Sequence, residues 1–288
     1  MAEISAKLVK DLRDKTGAGM SDCKKALEAT NGDMESAIKW LRERGAAAAA
    51  KRADREAKEG VIAIAQAENK SAAAIVEVNC ETDFVARSEG FVAFANEVAQ
   101  LALKHRVKTL NELLELTIGG EFNVSVAKAA EIMVGKVGEK VEVSRMALVE
   151  APDGVVVAYT HPGAKLASLV YLSGLNGKDD PIAKDIAMQV AAAAPVALER
   201  SSVPKELIEK EAEIYRQQAL NEKKPAAVVE KIVAGRIEKM YQDVALLEQP
   251  FIKDNSKTVA EILKEASEQL HTTLSVKQFV RFQLGERG

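Results

Sequence analysis

Cysteine, histidine and tryptophan are nearly missing from this chain: its 288 residues carry two, three and one of them. Cys23 and Cys80 lie far apart with no CxxC spacing, which argues against a disulfide scaffold and fits a reducing compartment. His105, His161 and His271 fall in separate segments, with no HExxH and no Cys/His pairing, so no zinc signature exists. Neither GxGxxG nor GxxxxGKS/T occurs. Gly174-Leu175-Asn176-Gly177-Lys178 has the wrong spacing for a phosphate cradle and reads as a polar loop. Asp179-Asp180 before Pro181 reads as a helix start and not as an acid–base pair. No run approaches the ~20 apolar residues of a membrane span. The net charge of -3 leaves no basic footprint for nucleic acid. Glu3, Lys7 and Asp11 on an amphipathic pattern read as a folded helix and not as a targeting peptide. These absences predict a cytoplasmic, non-enzymatic protein without cofactor or metal, whose partner is another protein.

What the chain does have is alanine and paired charge. Aromatics make up only 4% of it, so its cores are aliphatic and helices dominate. Ser5 caps a helix with the stripe Leu8, Val9 and Leu12, closed by Thr16-Gly17-Ala18-Gly19. A second helix carries Cys23, here a small apolar side chain, with Ala26 and Leu27, and stops at Asn31-Gly32. Asp33 caps a third, with Ala37, Ile38 and Leu41 inward and Gly45 at its end. Three short helices over 1–45 match the size of a ubiquitin-associated-like (UBA-like) domain, a docking module. Residues 46–59 are nearly all alanine and charge and read as a helical linker.

After Gly60 the period becomes alternating. Val61–Ile64 and Ala74–Val78 read as strands, followed by helices from Ser88, from the capping box Thr109-x-x-Glu112, and through Ala129 to Gly135 or Gly138. Val141–Val149 is strand-like, Pro152-Asp153-Gly154 a turn, and Val155–Val157 resumes the strand pattern. Leu169–Leu172 echoes Ile75–Val78, and a helix over Ile182–Ala193 follows. The leading glycines and inner strands share one offset, since 154 − 60 and 169 − 75 are both 94. Two similar β-β-α halves are the economical reading. Pro204 opens a helix with Ile208, Ala212, Tyr215 and Ala219; after a break at 221–225, Val229, Val233, Ile237, Met240 and Val244 carry the stripe back. This is an antiparallel helical hairpin of coiled-coil type, available for homodimerisation. Thr258-x-x-Glu261 starts a last helix and Phe279–Phe282 a closing strand. The expected class is α+β: 1–45, a linker over 46–59, a first core half over 60–140, a second over 141–185 with 245–288, and the hairpin module over 186–244.

Phe84 stands in a polar connection, Cys80-Glu81-Thr82-Asp83-Phe84-Val85. The commoner reading is a hydrophobic staple on the following helix; the sharper one is an exposed anchor for a partner's pocket. The same run, Glu77 to Val85, resembles the best-known signature of the elongation factor Ts family. Thr16–Met20 followed by Asp22–Leu27 is similar to that family's N-terminal module, and Gln249–Phe251 with Ser256–Val259, then Phe279–Phe282, are similar to two later blocks. The resemblance runs along almost the whole chain, in the family's order. It implies a guanine nucleotide exchange factor for elongation factor Tu, in which Phe84, with Asp83 beside it and Thr82 and Val85 flanking, wedges into the GTPase domain and disturbs the magnesium and phosphate site. It further implies that Arg13, Met20 and Lys24 dock the N-terminal module, that Val137 and Gly138 support the wedge contact, and that His161, Ile252 and Lys253 meet another domain of the GTPase. Residue by residue, Lys24 reads equally as a solvated helix face, Met20 as core and His161 as a turn residue. Many members continue beyond the position of Gly288 into a further helical module. The rival from another class is a UBA-like adaptor without exchange activity.

Overall fold

The computed structural model describes residues 4–120, 122–175, 181–222 and 224–286. Residues 176–180, where the polar loop and helix start are expected, lie outside them. The chain begins with three helices, α1 (Ala6–Thr16), α2 (Met20–Ala29) and α3 (Met34–Arg52). Ser5 and Asp33 accept from Leu8 and Ser36 N–H as N-caps of α1 and α3. Gly17 closes α1 at φ 67°, a conformation open to glycine without a Cβ penalty. Leu12, Cys23, Ala26, Leu27 and Ala37 bury together as this unit's own core.

Strands β1 (Glu59–Gln66) and β2 (Ala72–Cys80) follow, then α4 (Asp83–Ala86), α5 (Glu89–His105), α6 (Leu110–Glu115), a two-residue pair β3 (Thr117–Ile118) and β4 (Val124–Ser125), and α7 (Val126–Val137). Next come β5 (Val141–Glu150), β6 (Gly154–Thr160), β7 (Leu166–Ser173) and α8 (Pro181–Ala193). The chain ends with α9 (Lys205–Asn221), α10 (Ala226–Val244), the short pair β8 (Pro250–Phe251) and β9 (Asp254–Thr258), α11 (Val259–Leu270) and β10 (Ser275–Gln283). The architecture is mixed helix and sheet.

Two antiparallel sheets, in the orders β1-β2-β5 and β10-β7-β6, form the centre. Ile62, Ile75 and Val149 of the first share one apolar cluster with Val156, Leu169 and Phe282 of the second. On its other face the first sheet packs Val76 and Val78 against Phe91, Phe94, Val98 and Met133 of α5 and α7. The second sheet packs Val170 and Leu172 against Ile186 and Val190 of α8 and Leu263 of α11. Because both faces are covered, β2 is buried at every position, Glu77 and Asn79 included.

The repeat seen in the sequence is physical. A Cβ on Gly60 would lie 2.1 Å from the Val78 carbonyl oxygen, and one on Gly154 would lie 2.3 Å from that of Leu172. Leu172 follows Val78 at the same offset of 94 (172 − 78). Each half thus needs glycine where its first strand crosses the second at close range. Each of the two three-stranded sheets also has a bulge: β5 skips Ser144 against Glu77/Val78, and β10 skips Lys277 against Tyr171/Leu172.

Three expected boundaries move. The third helix does not end at Gly45: α3 runs on to Arg52, through the first half of the expected linker, and residues 53–58 lead from it into β1. Gly45 sits where α3 crosses α7, a Cβ there falling 3.2 Å from the Glu131 carbonyl oxygen, so the glycine permits close helix approach and does not cap. The division at 140/141 is corrected by pairing, since β5 hydrogen-bonds to β2 and completes the first sheet. The division at 185/186 cuts α8, whose Ile186, Ala187 and Val190 lie in the second half's core.

The hairpin α9–α10 closes on Ala219, Val229 and Val233. At its base the Val196 and Ala197 N–H groups donate to the Val244 carbonyl, at 2.8 and 3.2 Å. Arg200 lies between Glu238 and Glu248, over the Tyr241 ring at 4.8 Å.

Candidate partner-binding site

The segment after β2 turns at Thr82, which is extended (φ -124°, ψ 155°) and caps α4 by accepting from Val85 N–H at 3.4 Å. Ala86 N–H donates to the Thr82 carbonyl at 3.2 Å. Ala86 is buried and Val85 packs on the first core, so these two residues anchor the turn. Phe84 points the other way and is 84% exposed. The staple reading of Phe84 is therefore corrected: its neighbours do that work. Asp83 pairs with Arg87 one turn on, at 2.9 Å, on a largely solvated face.

An exposed Phe forgoes about 1.5–3 kcal/mol of burial, so the fold does not need it there. What the fold supplies is a fixed mount. Both oxygens of Glu139 accept from Thr82, one from N–H at 3.0 Å and one from the hydroxyl at 2.7 Å. The Cys80 thiol donates to the Thr82 carbonyl at 3.1 Å. Burial, then the charge of Glu139, push that thiol up to about 12, so it stays a neutral donor. Glu81 accepts from Lys140 N–H at 2.7 Å and pairs with Arg55 at 3.1 Å; the Lys140 bond first, then Arg55, hold its carboxyl below the usual range. Lys140 Nζ donates to the Ala53 and Arg55 carbonyls just past α3.

The other residues implied by the resemblance fall into groups. Val137 ends α7 and Gly138 caps it at φ 76°, turning the chain to present Glu139 and Lys140 to the turn that carries Phe84. Gly138 and Asp22 line one cleft of about 510 Å³ with Arg44, Lys51 and Arg52, which puts the start of α2 near the Gly138 corner. Met20, first residue of α2, is 43% exposed and not core. Arg13 is exposed on α1, and Lys24 is exposed in a weak pair with Glu28 at 3.8 Å. His161 is exposed, its Nδ1 3.0 Å from the Tyr159 hydroxyl. Its loop reaches the first half: Ile62 N–H donates to Ala164, and Gly163, Ala164 and Lys165 line a cleft of about 280 Å³ with Asp83 and Arg87. Ile252 is 37% exposed and its N–H donates to Gln189 of α8, while Lys253 pairs with Asp185 at 2.6 Å. These two stand on the second half, held by α8 and not by the Thr82 turn.

Glu139, Glu81, Lys140 and Arg55 escape sequence reasoning, because their partners lie 26 to 87 positions away. The only local signal is the Gly138 turn in front of two of them. Among the described residues, no group of three or more His, Cys, Asp and Glu side chains is placed to hold a metal ion, and no helix is long and apolar enough to cross a membrane.

A family model described as Elongation factor TS matches residues 81–286, beginning at the residue before Thr82. A protein of Chloroherpeton thalassium named Elongation factor Ts is 56% identical over 289 residues, covering 100% of both chains. Proteins of the same name from Chlorobium limicola and Chlorobaculum tepidum are 54% and 51% identical, each aligned over 99% of this chain and 100% of their own.

Proposed function

This chain belongs to the elongation factor Ts family, the nucleotide exchange factors of elongation factor Tu in translation, and from that premise we propose that it releases GDP by wedging Phe84 into the GTPase domain. Asp83 lies beside the wedge, and the contact disturbs the magnesium and phosphate end of the nucleotide site. The observation that carries this is an aromatic side chain 84% exposed on a turn whose backbone is tied down on both sides. An aromatic group held out in water at a fixed angle is suited to a pocket in a partner.

Exchange is a coupling between two ligands of one protein: as the factor weakens the nucleotide, the nucleotide weakens the factor equally. Shifting an equilibrium ~10⁴-fold takes about 5.5 kcal/mol of differential affinity. One buried Phe supplies about 1.5–3 kcal/mol, so further contacts hold the GTPase in its distorted state. Arg13, Met20 and Lys24 on the N-terminal helices, Val137 and Gly138 beside the mount, and His161, Ile252 and Lys253 on the second half take that role. The adaptor reading fits less well, because α3 runs from the three-helix unit straight onto α7, with Gly45 against Gly135.

The test is release of a fluorescent GDP analogue from elongation factor Tu. Strong acceleration at substoichiometric amounts is expected; a folded sample that leaves the rate unchanged refutes the reading. Exposed Ile214, Leu220 and Val228 support a secondary role of the hairpin in homodimer formation. There, light scattering should report a smaller mass when α9–α10 is removed, and an unchanged mass rejects it. The site of action is the cytoplasm, where translation runs.

A further inference from the structure

Every polar group of Thr82 has a partner. Its N–H and its hydroxyl hydrogen both go to the Glu139 carboxylate, its hydroxyl lone pair takes Val85 N–H, and its carbonyl takes the Cys80 thiol and Ala86 N–H. The hydroxyl is thus a relay. With its proton committed to Glu139, its lone pair faces the N–H of the residue after Phe84. A four-residue helix is too short to hold its own shape, since nucleating one hydrogen-bonded turn is unfavourable. Its direction must be imposed from outside.

We propose that Glu139 is the positioning residue of the exchange site: it fixes the turn that aims Phe84 and touches neither nucleotide nor wedge pocket itself. The proposal rests on the exchange reading above. Charge-assisted bonds are about twice as strong as neutral ones, and the pair made by one carboxylate to N–H and O–H of one residue fixes an angle as well as a distance. Glu139 is itself held. Gly138 at φ 76° sets the corner, and Lys140 N–H, the next donor along, is bound by Glu81. Lys140 Nζ carries the link to the carbonyls of Ala53 and Arg55. The corner between α7 and β5 therefore grips the wedge with one residue and the exit of α3 with the next, so the N-terminal helices and Phe84 are presented in one register.

The test is stopped-flow release of a fluorescent GDP analogue from elongation factor Tu by full-length Glu139→Gln, Thr82→Val, the double variant and Thr82→Ser. Gln keeps the size of Glu139 but offers one acceptor where two are used. Glu139→Gln and Thr82→Val should each lower the maximal rate about tenfold, with half-saturating concentration changed less than about twofold, and Thr82→Ser should restore the rate. The double variant should fall no further than either single one by more than about twofold, because each breaks the one route that runs from Glu139 through the hydroxyl to Val85 N–H. Effects that multiply in the double variant, or that appear only as weaker half-saturation, overturn the proposal. Should Glu139→Gln fail to fold, Thr82→Val against Thr82→Ser still decides. Should the wild-type chain not accelerate release at all, the exchange reading falls, and amide hydrogen exchange judges the mount separately. There Glu139→Gln should speed exchange at Val85 about tenfold and leave Ile75 unchanged, whereas unaltered protection at Val85 overturns it.

Discussion

Replacing Phe84 by Ala separates what the side chain does for the fold from what it does for a partner. At 84% exposure it contributes almost no burial to the free protein. The variant should therefore melt within about 2 °C of wild type, as surface substitutions stay within about 0.5 kcal/mol. Docked in an apolar pocket, the same ring is worth about 1.5–3 kcal/mol, or roughly ten- to a hundredfold. Where that energy appears depends on when the pocket exists. If the pocket opens only in the distorted GTPase, the loss falls on the maximal rate of GDP release and half-saturation barely moves. If it exists equally in both states, the loss falls on half-saturation and the maximal rate survives. The wedge reading predicts the first pattern, with residual activity because the remaining contacts still bind. Fluorescent GDP release at a series of factor concentrations separates the two. A variant that reaches the wild-type maximal rate at high concentration refutes the wedge, and one that melts far below wild type refutes the claim that Phe84 is idle in the fold.

Three further outcomes follow from the core. Gly60→Ala and Gly154→Ala should each cost about 3 kcal/mol or more, because the new methyl meets a backbone carbonyl and not a yielding side chain; a urea midpoint equal to wild type in either refutes the shared close approach. Glu77 is only 2% exposed and accepts from Arg145 at 2.7 Å, from Asn79 and from Gly285 N–H. Arg145→Met strands that carboxylate and should cost about 3–5 kcal/mol, read by denaturant unfolding, with a loss below about 1 kcal/mol counting against a structural pair. Glu81 has its pKa lowered in the folded protein, so its stabilisation is present above its unfolded value of about 4.3 and fades as pH falls through the lower folded value. Glu81→Gln should accordingly melt below wild type at pH 7, and the gap should close in acid; a gap that is constant with pH refutes the linkage.

The sequence speaks clearly where the physics is local. The capping boxes at Thr109/Glu112 and Thr258/Glu261 form as read, because both partners lie within one turn. The glycines at 60 and 154 disclosed the doubled core through their spacing. Gly45 misled, since a glycine that admits a crossing helix and one that ends a helix look alike until the crossing partner is known. The edge at 140/141 misled for a related reason: Val141–Glu150 is contiguous with the second half in sequence and belongs to the first by pairing. At the site, Thr82, Asp83 and Phe84 were legible as an oddly placed aromatic and its neighbours. The direction of Phe84 was not, because it is set by Glu139, the half-buried Val85 and the buried Ala86, and that depends on tertiary packing.

The hairpin leaves and re-enters the second half at one place, where Ala197 bridges Ala245 and Val196 and Ala197 bond the Val244 carbonyl. The core therefore asks of this long excursion only that its two feet stand side by side. Length, pitch and surface chemistry beyond the Arg200 clasp are free to change without tearing a sheet, since closing a longer loop costs little: about 0.6 kcal/mol per doubling. That makes α9–α10 the part of the molecule where new contacts can be tried while the strands that carry the wedge stay untouched.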